Sequence, residues 1–390
     1  MNILIVTYSF PPSTASSSVR WFKFFELSQK RNINFTVLCA NWSGEKIENE
    51  NIKYIGNELN FKLSKSIVNY PSFYDLIFHP TLSIRSFSKT IFSDWYRGCK
   101  NWINQNSYLK YDLIISSYGP ISSVLIGNYA KKTFKAPLII DLRDLISIQG
   151  QKVQIPIIHQ LDMLLDKYFT RHASEFITVT PTCAKKAKNF YKKNVTEIYN
   201  GFSIDLNNEK FNLSVKSKIL NILYFGTLGV SRSPYKILRI FESYCEFNRS
   251  VKINVNFASQ DDPNDYINNY QFDNIGINWL GYLTKGNLEK FKKQANILLL
   301  LEDQNSKGDE NLTGKIYEYF ELKKPIIVSC SSSSDIVNLI EEVNFGKLIN
   351  SKKDLDDFLN EDRYIDIETI NSCKTKNQFT KLELILKKYK

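Results

Sequence analysis

The six cysteines of this 390-residue chain, Cys39, Cys99, Cys183, Cys245, Cys330 and Cys373, include no Cys-x-x-Cys pair. Neither a zinc site nor a disulfide framework is expected, and a reducing cytoplasm fits. The three histidines, His79, His159 and His172, cannot form a metal cluster by their spacing, and none has an evident serine or cysteine nucleophile beside it. No Gly-x-Gly-x-x-Gly follows the first apolar strand, which counts against a dinucleotide oxidoreductase. No basic region precedes the apolar start, and no apolar stretch approaches the roughly 18 residues needed to cross a bilayer. No sequence repeat relates the two halves.

What is present is ordinary in bulk and biased in charge. Hydrophobic content of 43% and 23% charged residues describe a globular chain long enough for two to three cores. A net charge of +11 points to an anionic partner: nucleic acid, a phosphate-bearing ligand or an anionic membrane. The competing reading is compositional bias, with lysines solvating the surface.

The order of elements is α/β. Asn2 to Phe10 (NILIVTYSF) reads as a buried parallel strand, followed by a small-residue loop, Ser13 to Ser18, and a helix from Arg20 to about Lys30. Further strands are expected at Asn34 to Ala40, Asp112 to Ser117, Pro137 to Arg143, Glu175 to Thr180 and Val195 to Asn200. After the Asn200-Gly201 turn and a polar stretch, a second series starts at Lys218, with strands at Ile219 to Phe225, Val251 to Ala258, Ile275 to Gly281 and Asn296 to Leu301. Two such series predict two doubly wound Rossmann-like domains.

Three clusters carry candidate chemistry. Gly226-Thr227 after the first strand of the second series permits close backbone approach, and Arg232 and Lys236 beyond it are able to neutralise a diphosphate; simple solvent exposure is the alternative. Asp141 to Asp144 (DLRD) gathers charge at the C-terminal end of a strand, where open α/β sheets bind ligands, unless Arg143 merely pairs with Asp141 or Asp144. In Gly308 to Cys330, Glu310 and Glu318 lie eight positions apart. Within one helix they would stand about 12 Å apart along the axis. With Glu310 in a loop and Glu318 in a helix from about Gly314 to Leu322, each acid meets one end of a long ligand, the phosphates resting on the helix N-terminus. A surface helix with Lys315 and Glu318 paired at i,i+3 is the plainer alternative.

A fourth region, Leu59 to Gln105, interleaves aromatics with lysines and arginines. That composition suits a membrane interface or an acceptor chain, and equally the packing of helices on a sheet.

The Glu-x7-Glu spacing, the Thr-Gly-Lys-Ile-Tyr-Glu-Tyr helix and the following Lys-Pro strand resemble retaining glycosyltransferases of family 4, in a branch acting on bacterial surface polysaccharides. The resemblance covers nearly the whole chain and implies a GT-B architecture with two Rossmann-like domains facing across a cleft. Its implied boundaries are 1–203 for an acceptor-side domain, 204–370 for a nucleotide-sugar domain, and 371–390 for a helix crossing back to the first. It implies that Glu310 contacts the transferred sugar, that Glu318 holds the ribose, and that Arg232, Lys236, Gly226, Thr227, Asn311, Leu312, Thr313, Gly314 and Lys315 surround the donor. Asp141, Arg143 and Asp144 would face the cleft near the acceptor. Ser13, Thr14, Ala15, Ser16, Ser17 and Arg20 would form the loop lying against donor phosphate and acceptor; Ala15, Ser16 and Ser17 replace the glycines usual there.

The function so implied is transfer of a sugar from a nucleoside-diphosphate sugar to a lipid-linked or saccharide acceptor. It needs no cofactor and no metal, takes place in the cytoplasm with peripheral contact to an anionic membrane, and involves no nucleic acid. A nucleotide-sugar epimerase of the same fold and a non-catalytic saccharide-binding subunit stay open as alternatives.

Overall fold

The structure is a computed structural model that describes residues 1–59, 94–143, 145, 148, 156–202, 211–215, 217–268, 270–304, 309–310, 312–365 and 367–390. The chain forms two compact units, Met1–Gly201 with Thr375–Lys390, and Phe202–Lys374.

In the first unit the strands are β1 (Asn2–Val6), β2 (Asn34–Trp42), β3 (Ile52–Leu59), β4 (Leu113–Tyr118), β5 (Leu138–Leu142), β6 (Glu175–Thr178) and β7 (Val195–Glu197). They make one parallel sheet in the order β3-β2-β1-β4-β5-β6-β7. The order reverses at β1 and β4, so the loops after those strands diverge and open a crevice at their C-terminal ends. Among the described residues five helices connect the strands: α1 (Ser16–Gln29), α2 (Asp94–Gln105), α3 (Ile121–Phe134), α4 (Pro156–Thr170) and α5 (Pro181–Tyr191). Helix α1 begins four residues before Arg20. The serines read as loop supply its first turn, because a run of small residues clashes with nothing there.

The second unit repeats the scheme. Its sheet strands are β9 (Ile219–Phe225), β10 (Lys252–Ala258), β11 (Ile275–Trp279), β12 (Ile297–Leu301), β13 (Ile326–Ser329) and β14 (Gly346–Leu348), ordered β11-β10-β9-β12-β13-β14 and all parallel. A short antiparallel pair, β8 (Phe211–Asn212) with β15 (Tyr364–Ile365), lies apart. The five residues of β12, ILLLL, are all buried, as a central strand covered on both faces requires. Its neighbour β9 is the reversal point of this sheet. The α-helices among its described residues are α6 (Tyr235–Phe247), α7 (Lys285–Gln294), α8 (Lys315–Glu321), α9 (Asp335–Glu342), α10 (Lys352–Asn360) and α11 (Ile367–Asn371).

Helix α12 (Thr375–Leu386) belongs to the first unit. Phe379 packs on Phe24 and Phe35 with ring centroids 5.6 and 6.3 Å away, and Glu383 takes a 2.8 Å ion pair from Arg31. The approach is possible because Gly201 holds φ +72° with the Thr375 backbone against its Cα, where a side chain would collide. No helix among the described residues is long and apolar enough to cross a membrane.

Of the aromatic and basic stretch from Leu59 to Gln105, residues 60–93 lie outside the described residues. Trp95, which follows, is buried with its ring 5.0 Å from that of Tyr8. Lys100 lies over the rings of Tyr96 and Tyr129, at 5.8 and 4.7 Å.

Candidate functional site

The loops that leave β9 and β12, the two strands at the reversal point of the second sheet, bring together the residues singled out around Gly226. Gly226 has φ +132°, and its Cα faces the side chain of Lys315, so that a Cβ would overlap the ammonium group. Lys315, the first residue of α8, reaches back under the β9 turn. Its Nζ lies 4.9 Å from the centroid of the Tyr224 ring and donates to the Tyr224 hydroxyl at 3.4 Å. That hydroxyl donates in turn to the Thr227 carbonyl at 2.5 Å.

Arg232 closes the same group. Its Nε and Nη2 both reach Glu302 Oε2, at 2.8 and 2.7 Å, and Nη1 reaches Thr227 Oγ1 at 3.4 Å. Glu302 directly follows β12 and is buried; its Oε1 has no hydrogen-bond partner among the described residues. A second carboxylate, Asp261, accepts the Leu228 N–H of the same turn through Oδ2 at 3.0 Å, so the cluster holds two cations and two carboxylates. Burial pulls the Lys315 ammonium down to about 8; Glu302 works against that shift and Arg232 with it. Lys236 does not join the group: its Nζ donates to Asn350 Oδ1 at 2.6 Å on an exposed edge.

The two acids of the Glu-x7-Glu spacing meet different environments. Glu310 is 1% exposed, and Leu312 is buried two residues later; Asn311, between them, lies outside the described residues. Glu318 is half exposed and bonds Lys292 Nζ of α7 through Oε1 at 2.6 Å. The i,i+3 pair of Lys315 with Glu318 that a plain surface helix would show is thus replaced by two longer-range contacts, with Tyr224 and with Lys292. Thr313 accepts the Ile316 N–H through its carbonyl at 3.3 Å, and Gly314 at the N-cap has no side-chain cap bond. Helix α8 is only seven residues long, so its dipole contributes little beside the side-chain charges of Lys315 and Arg232.

In the first unit, Arg20 and Asp141 are fully buried and bonded to each other at 3.4 Å. Asp141 Oδ2 also accepts from Trp21 Nε1 at 2.9 Å and from Ser117 Oγ at 3.4 Å, while Arg20 Nη1 donates to the Ile198 carbonyl at 2.5 Å. Both charges lie inside the protein core, and they tie α1 to β4, β5 and the segment after β7. Arg143, two residues beyond Asp141, instead donates from Nη2 to Ser16 Oγ at 2.9 Å, at the start of α1. Asp144 lies outside the described residues. Ser13 is buried, whereas Thr14 and Ser16 are exposed and Ala15 and Ser17 half-buried.

Four residues of these clusters escape a reading of the sequence. Glu302 had a signal, an acid closing an otherwise apolar strand. Tyr224 and Trp21 read as ordinary core aromatics. Lys292 sits in KFKKQ among equivalent lysines, and nothing local distinguishes it.

No protein-family model and no curated protein matches this chain. Solved structures match along its whole length. The chain resembles the lipopolysaccharide outer core galactosyltransferase WaaB in its apo form at 13% identity and a TM-score of 0.55, over 100% of both chains. It resembles the trehalose-6-phosphate synthase OtsA at 12% identity and a TM-score of 0.57, over 99% of both chains. Anabaena Alr3699/HepE in complex with UDP matches at 14% identity and a TM-score of 0.51, over 100% of this chain and 95% of that one. Together with the two parallel sheets, these likenesses establish the fold as GT-B.

Proposed function

We propose that this protein is a retaining glycosyltransferase that moves a sugar from a nucleoside-diphosphate sugar to a lipid-linked or saccharide acceptor in bacterial surface-polysaccharide assembly, working beside an anionic membrane. The observation that carries the reading is the convergence of Arg232 and Lys315 on the Gly226 turn, at the reversal point of a GT-B sheet. Two cations beside a turn without a side chain suit a diphosphate: Glu302 occupies Arg232, Asp261 is taken by the turn's own Leu228 N–H, and among the described residues Lys315 bonds only the neutral Tyr224 hydroxyl. That HepE is solved with UDP and that WaaB is named a galactosyltransferase supports the same donor class.

In this reading the donor diphosphate takes up Lys315 and part of Arg232, while Glu302 keeps Arg232 oriented. Charge developing on the departing diphosphate is stabilised by these side chains without a metal ion, so a chelator should leave the rate unchanged. Glu318, steadied by Lys292, presents Oε2 to the ribose hydroxyls. Glu310 orients the transferred sugar, and Leu312, Thr313 and Gly314 border it. Arg143 and Ser16, together with Asp144, are the acceptor-side candidates.

Calorimetric titration with UDP, GDP, ADP and CMP tests donor binding, and incubation of the matching nucleotide sugars with a membrane extract tests transfer. NMR of the product's anomeric proton reads retention. Absence of nucleotide binding would overturn the proposal. Conversion of a nucleotide sugar without acceptor would instead mark an epimerase.

A further inference from the structure

The charge pattern of α4 is inverted for a surface helix. Both of its acids, Asp162 and Asp166, point into the protein and are at most 2% exposed, and Asp166 accepts from the Tyr191 hydroxyl at 2.9 Å. The outward face carries Leu161, Leu164 and Tyr168, exposed by 42, 65 and 57%. These recur at i, i+3 and i+7 and so form one stripe along the helix. Ordinary solvated helices turn such residues inward and their acids outward.

Cations border the stripe. The Arg171 guanidinium lies 3.7 Å from the centroid of the Tyr168 ring, and Lys167 Nζ lies 4.5 Å from that of Phe190 on α5. Beyond Arg171 the charge continues: Lys193 donates to the Arg171 carbonyl at 2.6 Å, and Lys131 to the His172 carbonyl at 2.7 Å. Next to them is an open cavity of about 560 Å³ lined by Ser174, Lys188, Asn189, Lys192, Lys193 and Asn194. From 167 to 194 the chain has seven lysines and arginines and a single carboxylate, Glu175. That carboxylate is buried and already occupied by Lys388 and Tyr389. Burial lowers His172, and Arg171, Lys131 and Lys193 lower it further, as expected of cations gathered without counter-charge.

An apolar stripe with bases beside it and no exposed acid matches the chemistry of a bilayer interface, with acyl chains taking leucines and tyrosine and headgroup phosphates taking lysines. We infer that the outward face of α4, with the adjoining end of α5, is the surface on which this protein docks to an anionic phospholipid membrane. The inference rests on the membrane contact proposed above but not on the donor site. It gives that contact a place in the first unit, on residues separate from the aromatic stretch 60–93.

The test is flotation of the full chain with vesicles of phosphatidylcholine, with and without phosphatidylglycerol. Binding is expected with the anionic vesicles only, lost as salt is raised. Leu164→Ser with Tyr168→Ser should lower partitioning by at least about tenfold, and each of Lys188→Gln and Lys192→Gln by about fivefold. All six native cysteines are buried, so an environment-sensitive dye on Leu164→Cys reports this face alone. Its emission should shift to the blue on anionic vesicles, whereas the same dye on Tyr282→Cys, an exposed position of the second unit, should not respond. Equal flotation of wild type and variants, or a silent Leu164→Cys probe on vesicles that do bind the protein, overturns the inference. So does concentration-dependent dimerisation abolished by Leu164→Ser without vesicle binding, which would assign the face to a second copy. Nucleotide titration of the same samples separates this outcome from failure of the donor-site reading.

Discussion

Lys292 Nζ lies 2.6 Å from Glu318 Oε1 and 5.1 Å from the centroid of the Phe225 ring, at the C-terminal end of β9. Burial opposes its charge, but the hydrogen bonds it donates to Glu289 and Glu318 outweigh that and hold it above the usual lysine range. A charge-assisted bond to one carboxylate oxygen restricts the rotamers of Glu318 and leaves the other oxygen to a ligand.

If Glu318 meets the ribose, Lys292→Met should raise the donor KM about threefold to tenfold with little change in kcat, because the lost interaction orients binding rather than the transition state. Lys292→Arg should recover part of the affinity. Initial rates over a donor series check this, and a fall in kcat alone would contradict it.

The Lys315 ammonium, lowered to about 8 by burial, makes both binding and stability depend on pH. Its proton is what a diphosphate needs, so nucleotide affinity should fall as pH rises through about 8, and Lys315→Met should abolish that dependence. For the ligand-free protein the sign is opposite. Between about 8 and the unfolded value of about 10.4 the unfolded chain holds a proton that the folded chain lacks, so this group's contribution to stability rises with pH across that window and is unfavourable below it. Lys315→Met should accordingly raise Tm of the free protein at pH 7 while weakening nucleotide binding. Calorimetric titrations and melting curves across pH measure the two effects.

Arg232→Ala leaves Glu302 buried without its cation and should cost about 1–3 kcal/mol of stability as well as nucleotide affinity. Adding Glu302→Gln should restore most of the stability, since the orphaned charge is removed, and none of the affinity. A double-mutant cycle read by both denaturation and titration separates the two roles of Arg232. Recovery of nucleotide binding in the double variant would argue that Arg232 serves only to neutralise Glu302.

Asp141 and Arg143, neighbours in the DLRD cluster, should respond differently. Asp141→Ala breaks a fully buried pair with Arg20 and strips Trp21 and Ser117 of their acceptor, a loss of about 3–5 kcal/mol. Arg143→Ala, at a partly open position, should change stability by no more than about 1 kcal/mol and lower transfer. Urea unfolding beside activity distinguishes them; an inactive Asp141→Ala of full stability would make Asp141 a participant in the chemistry.

The sheets were legible because parallel strands covered on both faces are largely apolar runs: Ile297–Leu301 is uninterrupted, and Ile219–Phe225 and Leu113–Tyr118 are broken only by Asn221 and by Ser116 and Ser117. Strand β3 was not, because Ile52–Leu59 (IKYIGNEL) lies at the sheet edge with mixed exposure and carries no uniform pattern. The Gly226 turn and the bases following it were readable, because a glycine after a strand has few uses. That Arg232 joins this group while Lys236 turns to Asn350 was not, since both are bases within four positions on a helical or near-helical stretch.

Sequence by itself determined the two α/β series, the alternation that makes them Rossmann-like, and the residue types at the ends of β5, β9 and α8, because strand and turn propensities act over a few neighbours. Tertiary structure alone decided which charges find each other: Arg20 with Asp141 across 121 positions, Arg232 with Glu302 across 70, Lys292 with Glu318 across 26. Side-chain pairing depends on distances set by sheet order and loop path. Burial then determines how strongly each pair is coupled, and neither quantity is written in local sequence.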